Sequence, residues 1–184
     1  AAQIDQKIAP CLYTGIMTDT GSFRFPSTTP KTHHVIAELI DKGANHSEIH
    51  QNIYDTFTFD RLRLLGTALT NLKKTEDLPV VYITISQEEL NRNNFKKGDT
   101  EGFVNYGLSL VGISVAVIMI ENEQEQIIKM SFRSKGAFSV NDFARTYFNG
   151  GGHHNAAGGA SKLSLSETES KFIKSISKVK NLLQ

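Results

Sequence analysis

Residues 149–159 read Asn149-Gly150-Gly151-Gly152-His153-His154-Asn155-Ala156-Ala157-Gly158-Gly159, and these residue types suit the binding of an anion. Three successive glycines remove every Cβ that would hold a ligand off the backbone. They also permit positive φ angles at which consecutive N–H groups converge on one concavity. The small residues that follow suit a short helix whose N-terminus faces that concavity, where free amides and the helix dipole stabilise phosphate. His153 stands at its mouth, placed to donate to a phosphate oxygen. A plain tight turn would use the same glycines; the adjoining histidine and the Ala-Ala-Gly-Gly ending favour the anion site. Arg133, followed by Ser134, Lys135 and Gly136, ends the polar face of an alternating stretch, and its guanidinium is suited to clamp the same phosphate bidentately.

A second dense stretch is Tyr13-Thr14-Gly15-Ile16-Met17-Thr18-Asp19-Thr20-Gly21-Ser22-Phe23-Arg24-Phe25. A carboxylate held among threonine hydroxyls at a glycine-bounded turn can be aimed at Mg²⁺ or Mn²⁺. A lone Asp at a helix end, satisfied by neighbouring hydroxyls and amides, fits the same residues, and one carboxylate does not make a metal site. His33-His34 and the pair His46 and His50 are better explained as exposed helix histidines than as ligands, since His-Ser-Glu-Ile-His lacks the glutamate position of the zinc-protease pattern. The segment 96–102, with its lysine pair, reads as a solvated loop that starts a helix through Tyr106 and Leu108.

The elements that must hold these residues fall into two segments. Up to Lys74 the pattern is helical. Val35, Ile36, Leu39 and Ile40 form one stripe that Gly43 ends, Asn45 and Glu48 form a capping box ahead of Ile49 and Ile53, and Leu62, Leu65, Leu69 and Leu72 line a longer helix after Thr58. Residues 73–79 are polar, and the periodicity then turns strand-like, so a domain boundary with a linker is expected there, dividing 1–75 from 76–184. Residues 80–85 are β-branched and aromatic, and Ser86 with Glu89 caps a short helix carrying Leu90. The run 113–120 is nearly all apolar, as in a strand covered on both faces, and Ile128, Met130 and Phe132 then alternate with Lys129, Ser131 and Arg133. A short helix with Val140, Phe143 and Ala144 inward, a strand near 160–163, and a final helix capped by Ser166 and Glu169 complete the pattern. The final helix carries Phe172, Ile173, Ile176, Val179 and Leu183. Alternating strands and helices of this kind predict an α/β layer sheet in the second segment.

Composition limits the alternatives. The 184 residues carry 20 Lys+Arg against 19 Asp+Glu, so no global field attracts nucleic acid and any anion must be held locally. Cys11 is the only cysteine, which excludes an intrachain disulfide or thiolate zinc site and points to a reducing cytoplasm. The longest apolar stretch falls far short of the ~20 residues a bilayer crossing needs. The chain opens on Ala1 rather than Met, which suggests a segment upstream.

Together the two dense stretches resemble the DHH phosphoesterase family. The run 150–158 is similar to the glycine-rich signature of the DHH-associated C-terminal domain, and 14–21 resembles the fourth metal-binding motif of the catalytic domain. Their order, with 99–105 and Arg133-Ser134-Lys135-Gly136 between them, is most similar to the bifunctional oligoribonuclease and 3′-phosphoadenosine 5′-phosphate phosphatase branch. The resemblance implies the helical tail of an α/β catalytic domain followed by a smaller α/β domain with a mixed sheet. It implies phosphoester hydrolysis at two Mn²⁺ ions, with Mg²⁺ left open, and makes Asp19 a metal ligand. Arg133, Ser134, Gly151, Gly152 and His153 would hold the terminal phosphate and sugar of a short RNA or nucleotide, so that a few contacts at a chain end suffice without a basic groove. No Asp-His dipeptide occurs, so the motif that names the family is absent. The expectation is a C-terminal part that is inactive without an N-terminal catalytic half, with a homodimer left open. A non-catalytic RNA-binding module, a cyclic dinucleotide phosphodiesterase, a polyphosphatase and a RecJ-type exonuclease are the competing readings.

Overall fold

In this computed structural model, which describes residues 4–183, contacts divide the chain into two units between Phe57 and Thr58. The first unit is helical. Helices α1 (Ile8–Asp19), α2 (Pro30–Asp41) and α3 (His46–Tyr54) bury Ala9, Tyr13, Met17, Ile36 and Leu39 in one small core. Helix α2 begins where Thr29 and Thr32 exchange hydrogen bonds and Pro30 presets φ, and Gly43, at φ +101°, turns the chain out of it. Asn45 caps α3 by accepting from the Glu48 amide. Ile49 packs on the core, but Ile53, expected beside it, is exposed.

The second unit opens with α4 (Phe59–Thr70), capped by Thr58. Its buried side chains are Leu64 and Ala68, while Leu62 and Leu69 of the expected stripe are exposed. The reason is tertiary: Leu64 and Ala68 join Val81, Ile83 and Ile118 in one apolar cluster, which fixes the rotation of the helix. That packing ties α4 to the second unit. The polar stretch at 73–79 holds the two-residue strand β1 (Lys73–Lys74) and the turn that follows it.

The expected α/β layer with a mixed sheet forms. After β1 come β2 (Val80–Ile85), α5 (Gln87–Arg92), α6 (Phe103–Leu108), β3 (Val115–Asn122), β4 (Ile127–Ser134), α7 (Val140–Phe148), β5 (Gly151–His153), β6 (Ala156–Ser161) and α8 (Leu165–Lys178). The strands lie in the order β1-β2-β3-β4-β6-β5, and only β2 and β3 run parallel, joined through α5 and α6. Helices α4, α5 and α6 cover one face through Leu64, Leu90, Phe103 and Val104. Helices α7 and α8 cover the other, where Phe132, Phe143, Phe148 and Phe172 are buried together. Gly107 of α6 lies so close to the sheet that a Cβ there would stand 2.8 Å from the Ala116 Cβ.

Two expectations about the C-terminal stretch are corrected. The small residues 156–159 open no helix: the last strand, expected near 160–163, already begins at Ala156 and runs to Ser161, because β4 and β5 pair with it from either side. The final helix is capped by Ser164 and Glu167, not Ser166 and Glu169; Glu169 instead accepts from the Tyr82 hydroxyl at 2.9 Å and pairs with Lys73 at 2.7 Å.

Candidate anion-binding site

The end of β4 and the β5–β6 hairpin bring Arg133 and the glycine-histidine run together. Arg133 lies opposite Ala156 in the β4–β6 ladder, and His153 lies opposite Ala156 in the β5–β6 ladder. Residues opposed in this way project to one face of a sheet, so Arg133, Ala156 and His153 form a row in which a methyl group separates a guanidinium from an imidazole. With adjacent strands about 4.8 Å apart, their backbones stand about 10 Å apart. The row lies on the face opposite Met130 and Phe132, which point into the α7–α8 core. His153 is exposed.

Arg133 is partly buried. Its Nη1 donates to the Phe132 carbonyl at 2.9 Å, and it forms no ion pair with a carboxylate among the described residues. Burial draws its pKa below the usual arginine value. A guanidinium removed in part from water without a counterion favours an incoming anion, since the alternative is an uncompensated buried charge.

The glycine run does something other than cradle. The Gly150 amide donates to the Ala144 carbonyl at 3.1 Å, closing α7, whose C-cap Asn149 is left-handed at φ +47°. The Gly152 amide donates to Asn141 Oδ1 at 2.8 Å. These two amides are therefore occupied within the fold. A Cβ on Gly150 would fall 2.0 Å from the Gly158 carbonyl oxygen, and one on Gly152 would fall 2.5 Å from the Ala156 oxygen. The glycines let the turn after α7 and the edge strand close upon β6. Gly151 pairs with Gly158 in that edge. Ser134 also faces inward. It is buried, its hydroxyl donates to the Phe138 carbonyl at 2.7 Å, and it accepts from Asn155 Nδ2 at 2.9 Å.

Asp19 lies in the first unit, at the last position of α1. It is exposed, and its carboxylate has no hydrogen bond or ion pair among the described residues. A carboxylate at the negative end of a helix dipole is unfavourable by about 0.3–1 kcal/mol. The loop after it is unusual: Gly21, Ser22 and Phe23 are all left-handed, at φ +56°, +59° and +66°. Ser22 Oγ lies 3.2 Å from His50 Nε2, whose Nδ1 lies 2.8 Å from the His46 carbonyl oxygen, so the loop is tied to α3. His34 Nδ1 lies 2.7 Å from the Pro30 carbonyl oxygen, and His33 packs against Phe23. Among the described residues no group of three or more His, Cys, Asp or Glu could hold a metal ion. The residues present therefore do not fit a manganese centre by themselves.

Sequence reasoning missed Asn141 and Asn155, which hold the hairpin at its two ends. Their signal is weak: an asparagine at the start of a helix and another in a turn are ordinary placements, and a helix expected over the small residues before 160 hides the turn itself.

The DHHA1 domain family matches residues 77–182. The chain is 32% identical over 156 residues to the bifunctional oligoribonuclease and PAP phosphatase NrnA of Bacillus subtilis, covering 85% of this chain and 48% of that protein. It is 32% identical over 159 residues to the protein of the same name from Thermus thermophilus, covering 85% and 45%. The chain thus spans about half the length of the curated relatives it matches. Among solved structures, an exopolyphosphatase-related protein from Bacteroides fragilis superposes with a TM-score of 0.95 at 38% identity, over 99% of this chain and 53% of the other.

Proposed function

The chain belongs to the DHHA1 domain family, and from that premise we propose that it supplies the substrate-gripping part of a phosphoesterase acting on short oligoribonucleotides or 3′-phosphoadenosine 5′-phosphate. The observation that carries this reading is Arg133: a partly buried guanidinium with no carboxylate partner among the described residues, in one row with the exposed His153. Arg133 binds the phosphate by charge and its free N–H groups, and His153 donates to the same group or its ester oxygen. Ala156 between them keeps the floor low enough for a sugar or base to lie against the sheet. The names of the NrnA relatives support the substrate class.

Asp19 is the one carboxylate this chain would bring toward a metal centre, and its unfavourable place at a helix C-terminus supports a role outside folding. Manganese, bound with further ligands, would supply Lewis-acid activation of water. The described residues do not assemble such a centre, so hydrolysis by the chain alone is expected to be negligible.

Titration calorimetry of the chain with 3′-phosphoadenosine 5′-phosphate and with a diribonucleotide tests the reading. Binding that weakens with salt and falls about tenfold or more in Arg133→Ala is expected. Equal affinity in Arg133→Ala, or brisk Mn²⁺-dependent turnover by the chain alone, would overturn it.

A further inference from the structure

We propose that Asn155 is a positioning residue whose carboxamide sets the spacing between the strand end that carries Arg133 and the hairpin that carries His153. The proposal rests on reading those two residues as the anion-binding pair. The β4–β6 ladder ends at the Arg133–Ala156 pair, so the next residues out, Ser134 and Asn155, are the last points at which the two strands are held together. Asn155 Nδ2 donates to Ser134 Oγ at 2.9 Å and to the Gly136 carbonyl at 3.1 Å. Ser134 passes the bond on to the Phe138 carbonyl at 2.7 Å, and its own amide donates to the Asn155 carbonyl at 3.1 Å. One short side chain thus grips both the residue after Arg133 and the left-handed Gly136, at φ +72°, where the chain leaves β4.

The chemistry selects an amide. Both partners of Nδ2 present lone pairs, since the Ser134 hydrogen is already directed at Phe138, so the position needs two N–H donors on a short stem. An aspartate of the same shape would set a carboxylate against the Gly136 oxygen. The backbone supports the fold independently: Val140 donates to the His154 carbonyl at 2.9 Å, and the His154 ring nitrogen Nε2 lies 3.1 Å from the Ala137 carbonyl oxygen. Removing the Asn155 carboxamide therefore leaves the hairpin attached but loosens the distance from Arg133 to His153, the quantity that two-point capture of a phosphate depends on.

The test uses the full 184-residue chain and adenosine 5′-monophosphate as probe. Affinity is measured by calorimetry, folding by circular-dichroism melts, and the surroundings of His153 by its imidazole resonances. In Asn155→Ala the affinity is expected to fall roughly tenfold, the value of about one hydrogen bond, with the melt little changed. Asn155→Asp should bind no better, and Ser134→Ala, a smaller perturbation of the same relay, should shift affinity in the same direction. In an Arg133→Ala background, Asn155→Ala should have little further effect, whereas a merely structural asparagine would lower binding equally in both backgrounds. Wild-type affinity in Asn155→Ala, or losses in Asn155→Ala and Ser134→Ala that track only their unfolded fractions, would overturn the role of Asn155 while leaving the anion pair in place. A wild-type chain that does not bind the probe would overturn the anion pair and this proposal with it.

Discussion

Replacing Gly150 by alanine separates two uses of the glycine run, because its added Cβ would meet backbone rather than a ligand. The contacts are 2.0 Å to the Gly158 oxygen and 2.8 Å to the Gly159 Cα, against the 3.4–4 Å of ordinary contact. Neither neighbour is a side chain able to rotate away, so the turn after α7 must part from β6 by more than an ångström. Overpacking of this kind costs about 1–3 kcal/mol. The shift also weakens the bond from the Gly150 amide to the Ala144 carbonyl, worth about 0.5–1.5 kcal/mol, for a combined loss of up to about 1.5–4.5 kcal/mol. At about 2–4 °C per kcal/mol for a chain of this size, the melt should fall by roughly 3–18 °C. Gly158→Ala is the control: its Cβ would find only the Met130 oxygen, at 3.8 Å, and a change within about 0.5 kcal/mol is expected. Circular-dichroism melts of both variants, with amide exchange in β6 to localise the loss, decide the matter. Gly150→Ala melting with the wild type, or Gly158→Ala proving the more damaging, would refute the packing argument.

Leu64→Ala should cost about 2–5 kcal/mol in urea unfolding and Leu62→Ala under about 1 kcal/mol, since Leu64 is 0% exposed and Leu62 50%. Tyr82 has its pKa pushed from 10.0 up to about 12 by burial and the Glu169 carboxylate, so the folded state favours the neutral phenol. That contribution is whole below pH 10.0 and is lost as the pH climbs toward about 12; Tyr82→Phe should flatten the decline of stability across that window and remove a late-ionising tyrosine from the ultraviolet titration. Asp19→Asn should leave the chain equally stable or stabilise it by up to about 1 kcal/mol in a thermal melt, because it removes a carboxylate from the negative end of α1. On the proposed function, the same substitution in a protein that also carries the remaining metal ligands should abolish hydrolysis.

The strands legible in the sequence were those whose side chains differ between faces. The alternation of Met130 and Phe132 with Ser131 and Arg133 located β4, and the unbroken apolar run located β3 between two helical layers. Residues 156–161 contain nothing larger than serine, so neither period shows, and their strand character comes from pairing with β4 and β5. The rotation of α4 was ambiguous because leucines occupy both sides of it; the neighbours of Leu64 and Ala68 decide which side is covered. The last cap failed for a sharper reason. Ser164 with Glu167 and Ser166 with Glu169 present the same Ser-x-x-Glu pattern two residues apart, and only the contact of Glu169 with Tyr82 and Lys73 removes one of them from use as a cap.

The sequence named Arg133 and His153, which the structure brings into one row, but not what the glycines between them do. Sequence reasoning assigned the anion to the glycine amides and gave Arg133 and His153 supporting parts, yet Gly150 and Gly152 donate within the fold while Arg133 has no counterion among the described residues. The glycines matter by geometry: without their close approach to β6, the edge strand could not bring His153 level with Ala156 and hence with Arg133. A motif of residue types cannot distinguish an amide that faces a ligand from one that faces the next strand, because the same lack of a Cβ serves both. The distinction lies in the acceptors, the Ala144 carbonyl and the Asn141 side chain, which belong to a helix the glycine run itself does not contain. On the function proposed above, recognition at this face would depend on two side chains carried by paired strands, and on the hydrogen bonds that fix how far apart those strands hold them.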